Sequence, residues 1–210
     1  MKNALLLALA LLATTVLRAD EPQRMTAEEL AKATQLLMDA NTRLGDLPLK
    51  LELAPDQAVG LKTGEVGALI IPDKRFKFER RDTKDKTARK KKGEIMPVGQ
   101  LWTSKLSLKD KDVVLANNQL RLVKIDTKDK ELELAVFALG LEHTGKREFQ
   151  LVIYGQGSQP VLRLPLTTEK AKGAGPVTLA ARKTGEAAGV LELGLLGRFK
   201  AELPVGKQAE

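Results

Sequence analysis

The chain has 210 residues, 43% of them hydrophobic, and a formal net charge of +8, with five Phe, one Tyr, one Trp, one His and no Cys. The absence of Cys excludes disulfides, thiolate nucleophiles and thiolate metal sites, and a single His excludes the usual multi-histidine zinc centre. So few aromatics leave Leu, Val, Ile and Ala to fill the core, in a length that suits one large domain or two small ones.

Residues 1–19, MKNALLLALALLATTVLRA, read as an export signal. Lys2 supplies the positive start, Ala4 to Leu17 the apolar run, and Asp20-Glu21-Pro22 a polar beginning for the mature chain after cleavage at Ala19. The run is about fourteen residues, short of the roughly 20 that a membrane-spanning helix needs, and no later stretch is longer. The expected location is a bacterial periplasm, the cell surface or the medium. A domain of this size without disulfides suits such a compartment better than a eukaryotic secretory pathway.

Residues 20–46 form an N-terminal helical segment. The spacing predicts an amphipathic helix over 25–44: Thr26 and Glu29 make a capping box, Leu30, Ala33, Leu37, Ala40 and Leu44 recur every three or four residues, and Gly45 can end it. Its polar face, with Glu28, Lys32, Gln35 and Asp39, is not basic, which favours packing against the fold over a membrane surface.

From residue 47 to 210 the period changes to two, the mark of strands. Leu49, Leu51 and Leu53 alternate with charged residues, as do Leu132, Leu134, Val136 and Ala138 with Glu133, Ala135 and Phe137. The pattern returns at 149–153, 162–166, 177–181, 191–195 and 199–205. Short strands divided by Gly-, Pro- and Asn-bearing turns predict a mainly β fold, an antiparallel β-sandwich or barrel-like sheet. A slip in the alternation across Leu120, Leu122, Val123 and Ile125 predicts a β-bulge near Leu122, and Pro165 and Pro204 predict edge strands. Thr-Gly pairs at 63–64, 144–145 and 184–185 predict turns.

Charge is concentrated in one place. Residues 74–92, KRFKFERRDTKDKTARKKK, carry eleven Lys or Arg against three acids, whereas the rest of the mature chain sums to about −2. Between two strand-like stretches this predicts a basic loop at about 79–93, whose Arg80, Arg81, Lys84, Lys86, Arg89, Lys90, Lys91 and Lys92 form a candidate anion-binding site. Lipid headgroups, an anionic polymer or an acidic protein fit that charge. Specific nucleic-acid recognition does not, because no stacking aromatics are interleaved with the cations.

Other constellations fail on chemistry. The sequence Gly140-Leu-Glu-His-Thr-Gly145-Lys146 has phosphate-loop spacing, but Arg147 stands where a hydroxyl should ligate Mg²⁺ and a strand pattern follows instead of a helix, so a hairpin turn is expected, with His143 in an exposed loop. Clusters at Asp110-Asp112 and Asp126-Asp129-Glu131 are neutralised by interleaved Lys and lack calcium-loop spacing. A carboxylate-based hydrolase would draw on Glu52, Glu133 or Glu192, each inside an apolar stretch, although all three alternate away from Leu faces toward solvent. Trp102, on the side of Leu106 and Leu108, is expected in the core. No catalytic, metal or cofactor residue is assigned. The expected role is an exported, non-enzymatic binding or structural module whose basic loop contacts an anionic partner; the alternatives are that hydrolase and an assembly subunit using exposed β-edges.

Overall fold

The computed structural model describes residues 21–77, 93–126, 131–145, 148–169, 175–185 and 188–208. The expected leader at 1–19 and the basic residues Arg80, Arg81, Lys84, Lys86, Arg89, Lys90, Lys91 and Lys92 lie outside these.

A short β1 (Gln23–Arg24) precedes the helix α1 (Ala27–Asn41). Thr26 caps it: its side chain accepts from the Glu29 N–H while the Glu29 carboxylate accepts from the Thr26 N–H, the reciprocal box read from sequence. The helix stops at Asn41, short of Gly45, because Thr42 closes the last turn through its hydroxyl to the Asp39 carbonyl. Leu37 and Ala40 are buried, and Lys32 pairs with Glu28 at 2.7 Å on the outer face.

The larger sheet has eight strands, comprising β1, β2 (Val59–Thr63), β3 (Val66–Pro72), β4 (Ile95–Ser104), β7 (Arg121–Asp126), β8 (Glu131–Gly145), β9 (Glu148–Tyr154) and β10 (Pro160–Pro165). All its pairings are antiparallel. Its axis is β8, whose one edge pairs with β4 while the other is shared end to end by β7 at residues 131–136 and β9 at 138–145. The smaller sheet runs β12 (Val177–Lys183), β13 (Ala188–Leu195), β14 (Phe199–Lys207), β5 (Leu106–Asp110) and β6 (Val113–Val114), with β11 (Thr167–Thr168) on the remaining edge of β14. The chain changes sheets at Lys105, which takes a positive φ of 57° while the Thr103 hydroxyl donates to the Leu106 carbonyl.

Two cores result. Between the sheets, Ile70, Leu101, Phe137, Leu139, Leu151 and Ile153 meet Leu179, Leu191, Leu193, Ala201, Leu203 and Val205. On the outer face of the larger sheet, Leu37 and Ala40 of α1 pack on Leu69, Ile71, Trp102 and Val136. The molecule is therefore an antiparallel β-sandwich with one helix layered on it, and neither sheet closes into a barrel.

Double-sided burial explains most departures from the sequence reading. Across β7, Leu122 faces the inter-sheet core while Val123 and Ile125 face the helix layer, and Leu120 ends a 3-10 turn (Asn117–Gln119), so the apolar slip is not a bulge. Pairing of β7 with β8 is unbroken from Arg121↔Val136 to Asp126↔Glu131. Register shifts occur instead at Pro97/Gly99, His143/Gly145 and Pro160/Leu162. Leu49, Leu51 and Leu53 do not form a strand; they lie over the outer face of the sheet, with a single bridge from Leu53 to Asp73. Pro165 ends an edge strand as expected. Pro204 lies in the interior strand β14, in the interval left uncovered between β11 at Phe199–Lys200 and β5 at Val205–Lys207. Trp102 is buried, but on the helix side, because the corner at Lys105 separates it from Leu106 and Leu108.

Candidate functional site

The basic insertion leaves the sheet between two central strands, and both its stems are fixed. After β3, Asp73 is fully buried and its carboxylate accepts from the backbone N–H of Glu52 at 2.7 Å and of Arg75 at 2.8 Å. The Arg75 guanidinium donates to the same carboxylate at 2.9 Å and to the Lys50 carbonyl at 2.6 Å. Burial pushes the Asp73 carboxyl up, but the bonds from Arg75 and from the two backbone N–H groups outweigh it and hold the group below the ordinary Asp value. Phe76, although flanked by Arg75 and Lys77, is completely buried in the inter-sheet core. At the far stem, the Gly93 N–H donates to the His143 carbonyl at 2.8 Å and the His143 N–H to the Glu94 carbonyl at 3.1 Å.

His143 corrects the sequence reading. It sits within β8 and is only 7% exposed, its ring 5.0 Å from that of Phe149, which in turn lies 5.4 Å from Phe199 of the other sheet. Neither ring nitrogen has a hydrogen-bond partner. Next to it, Thr144, Glu148, Phe149, Pro165 and Phe199 line a cavity of about 390 Å³. A buried polar group left unpaired costs about 1–3 kcal/mol, so His143→Phe, which keeps the ring stack, is expected to raise the unfolding free energy by about 1 kcal/mol in urea titration. A destabilised variant would mean that the imidazole is hydrogen-bonded in solution.

The three carboxylates considered for hydrolysis are not brought together. Glu52 precedes β2 and is exposed, Glu133 is exposed on β8, and Glu192 lies on β13 in the other sheet. Glu192 and Glu202 face each other across β13 and β14, and their repulsion is offset by Arg182, 3.1 and 3.0 Å from them, and by Lys200, 3.0 and 3.5 Å away. The Lys200 hydrogen bond holds the Glu192 carboxyl below its ordinary value, the opposite of what a general acid requires. Tyr154 is buried, which pushes its hydroxyl up, and Trp102 donates to Gln100, which donates to Asn41 of α1. Neither ring offers a flat platform to solvent. Among the described residues, no group of three His, Asp or Glu side chains could hold a metal ion, and no helix is long and apolar enough to cross a membrane.

One feature escaped the sequence reading. At the end of the sandwich away from the basic insertion, the two sheets part to leave a cleft of about 310 Å³ between the β2–β3 and β12–β13 hairpins. Its lining residues are far apart in the chain and individually ordinary, so no local motif announces it. Searches of protein families, of curated proteins and of solved structures return no match.

Proposed function

We propose that the protein is an exported, non-catalytic binding module that contacts an anionic partner through Arg80, Arg81, Lys84, Lys86, Arg89, Lys90, Lys91 and Lys92. The reading is supported by charge segregation. Elsewhere in the fold, many cations are matched by carboxylates: Lys32 by Glu28, Lys62 by Glu29, Lys105 by Glu65, Lys124 by Glu131, and Arg182 and Lys200 by Glu192 and Glu202. Residues 78–92, between stems anchored by Asp73 and His143, instead carry eight Lys or Arg against three acids, a net +5 concentrated in one segment of the chain.

The test is retention on heparin and on phosphatidylglycerol vesicles across a salt gradient, for the parent and for a variant with Arg89, Lys90, Lys91 and Lys92 changed to Ala. The parent is expected to remain bound at about 0.15 M salt, where screening acts within roughly 8 Å, and the variant to elute well below it. Heparin retention alone marks a polymer partner, and retention on both supports marks a surface. Equal elution of parent and variant would overturn the proposal.

A further inference from the structure

The end cleft has a chemistry of its own. Its walls are aliphatic, formed by Leu61, Val66, Ala68, Ala181, Leu191 and Val205, and Gly189 puts no side chain against Val205. Its mouth carries Lys62, Lys105, Arg182, Lys183 and Lys207, and no acidic residue is among the described lining. Lys62, Lys105 and Arg182 are engaged by Glu29, Glu65 and the Glu192–Glu202 pair, whereas Lys183 has no carboxylate partner among the described residues. An apolar channel with Lys183, unpaired among the described residues, at its lip complements a molecule that is apolar along its length and anionic at one end. The volume, near the lower limit of the roughly 300–1,000 Å³ usual for ligand pockets, fits one chain rather than two.

We propose that this cleft binds a single free alkyl carboxylate, chain inserted between the sheets and headgroup beside Lys183. The site is separate from the basic insertion. Along β3, Val66 lines the cleft and Pro72 adjoins the insertion, six residues apart, or roughly 20 Å at strand rise.

Calorimetric titration of the chain from Asp20 onward, which contains every described residue, with octanoate, decanoate and dodecanoate below their micelle concentrations tests the proposal. Saturable 1:1 binding is expected, tightening about fourfold per added methylene until the cleft is full. Ala181→Phe, which fills the channel, is expected to weaken dodecanoate at least tenfold. Lys183→Glu changes an exposed side chain and leaves the fold intact, so it carries the test if Ala181→Phe does not fold. It should weaken dodecanoate about tenfold and strengthen dodecyltrimethylammonium.

Four results would overturn the proposal. They are no saturable binding of dodecanoate; equal affinity for both headgroups with Lys183→Glu indifferent; a dimer at all ligand concentrations whose interface is the cleft; or binding that vanishes in the full chain, which would name residues 1–19 as the occupant. The variant lacking Arg89, Lys90, Lys91 and Lys92 is expected to bind dodecanoate like the parent. Failure here is thereby distinguishable from failure of the anionic-partner reading.

Discussion

Replacing Asp73 by Ala is expected to lower the unfolding free energy by about 3 kcal/mol, because it removes the acceptor for two backbone N–H groups and a guanidinium at a fully buried position. Arg75 is half exposed and keeps its bond to the Lys50 carbonyl, so the loss falls mainly on the Glu52 and Arg75 N–H groups and on the buried position of Asp73 itself. The dependence on pH provides a second check with a definite sign. The Asp73 carboxyl is held below its ordinary value in the folded protein, so its contribution is complete above the unfolded carboxyl value of about 3.9 and disappears as pH falls through the lower folded value. Urea titrations of parent and Asp73→Ala should differ by a constant amount between about pH 5 and 8, and the difference should shrink on acidification below about pH 4. A gap that persists unchanged into acid would show that packing, not the ionised carboxylate, anchors the stem.

Gly99→Ala is expected to be at least as damaging, costing about 3 kcal/mol or more. Gly99 lies where β4 shifts register, paired with Pro72 of β3 on one side and Leu139 of β8 on the other, at a φ of 152°. A Cβ there would lie 2.7 Å from the Pro72 Cα and closer still to the Ile71 carbonyl oxygen. Both are backbone atoms of a central strand, so relief requires β3 and β4 to move apart. The same close approach lets the Asp73 N–H reach the Val98 carbonyl at 2.8 Å, and Gly99→Ala should therefore loosen the stem of the insertion together with the sheet. Circular dichroism melts would register the first effect. Faster proteolysis between residues 74 and 92 would register the second.

How far the fold could be read from sequence depended on how many faces of each strand are covered. The C-terminal strands were legible because only one face is: Leu191, Leu193 and Leu195 point inward while Glu192, Lys200 and Glu202 form an ion-paired outer surface. Along β8 the rule fails. Ala135 and Phe137 face one core and Leu134 and Val136 another, so residues 134–141 carry no polar side chain and their period carries no direction. His143 was misplaced for a related reason: a polar residue beside Thr-Gly reads as a turn, and only the Phe149 and Phe199 rings, from elsewhere in the chain, make it interior. The basic insertion was visible as charge alone, whereas its Asp73 anchor depends on Glu52, which lies 21 residues earlier. The cleft was invisible because hairpins more than a hundred residues apart must meet to form it.

The division of the sheets along the chain also sets the order in which the molecule can be finished. Strands β12, β13 and β14, residues 177–207, supply most of one wall of the inter-sheet core, and they are synthesised after every other described strand. Until they are made, Phe137, Leu139, Leu151 and Ile153 lack most of the wall that covers them in the finished fold. A chain that stops before residue 177 is thus expected to expose that apolar surface to intermolecular contact. The β12–β13–β14 meander is built from neighbouring hairpins, whose low contact order allows it to form quickly and shorten that exposure.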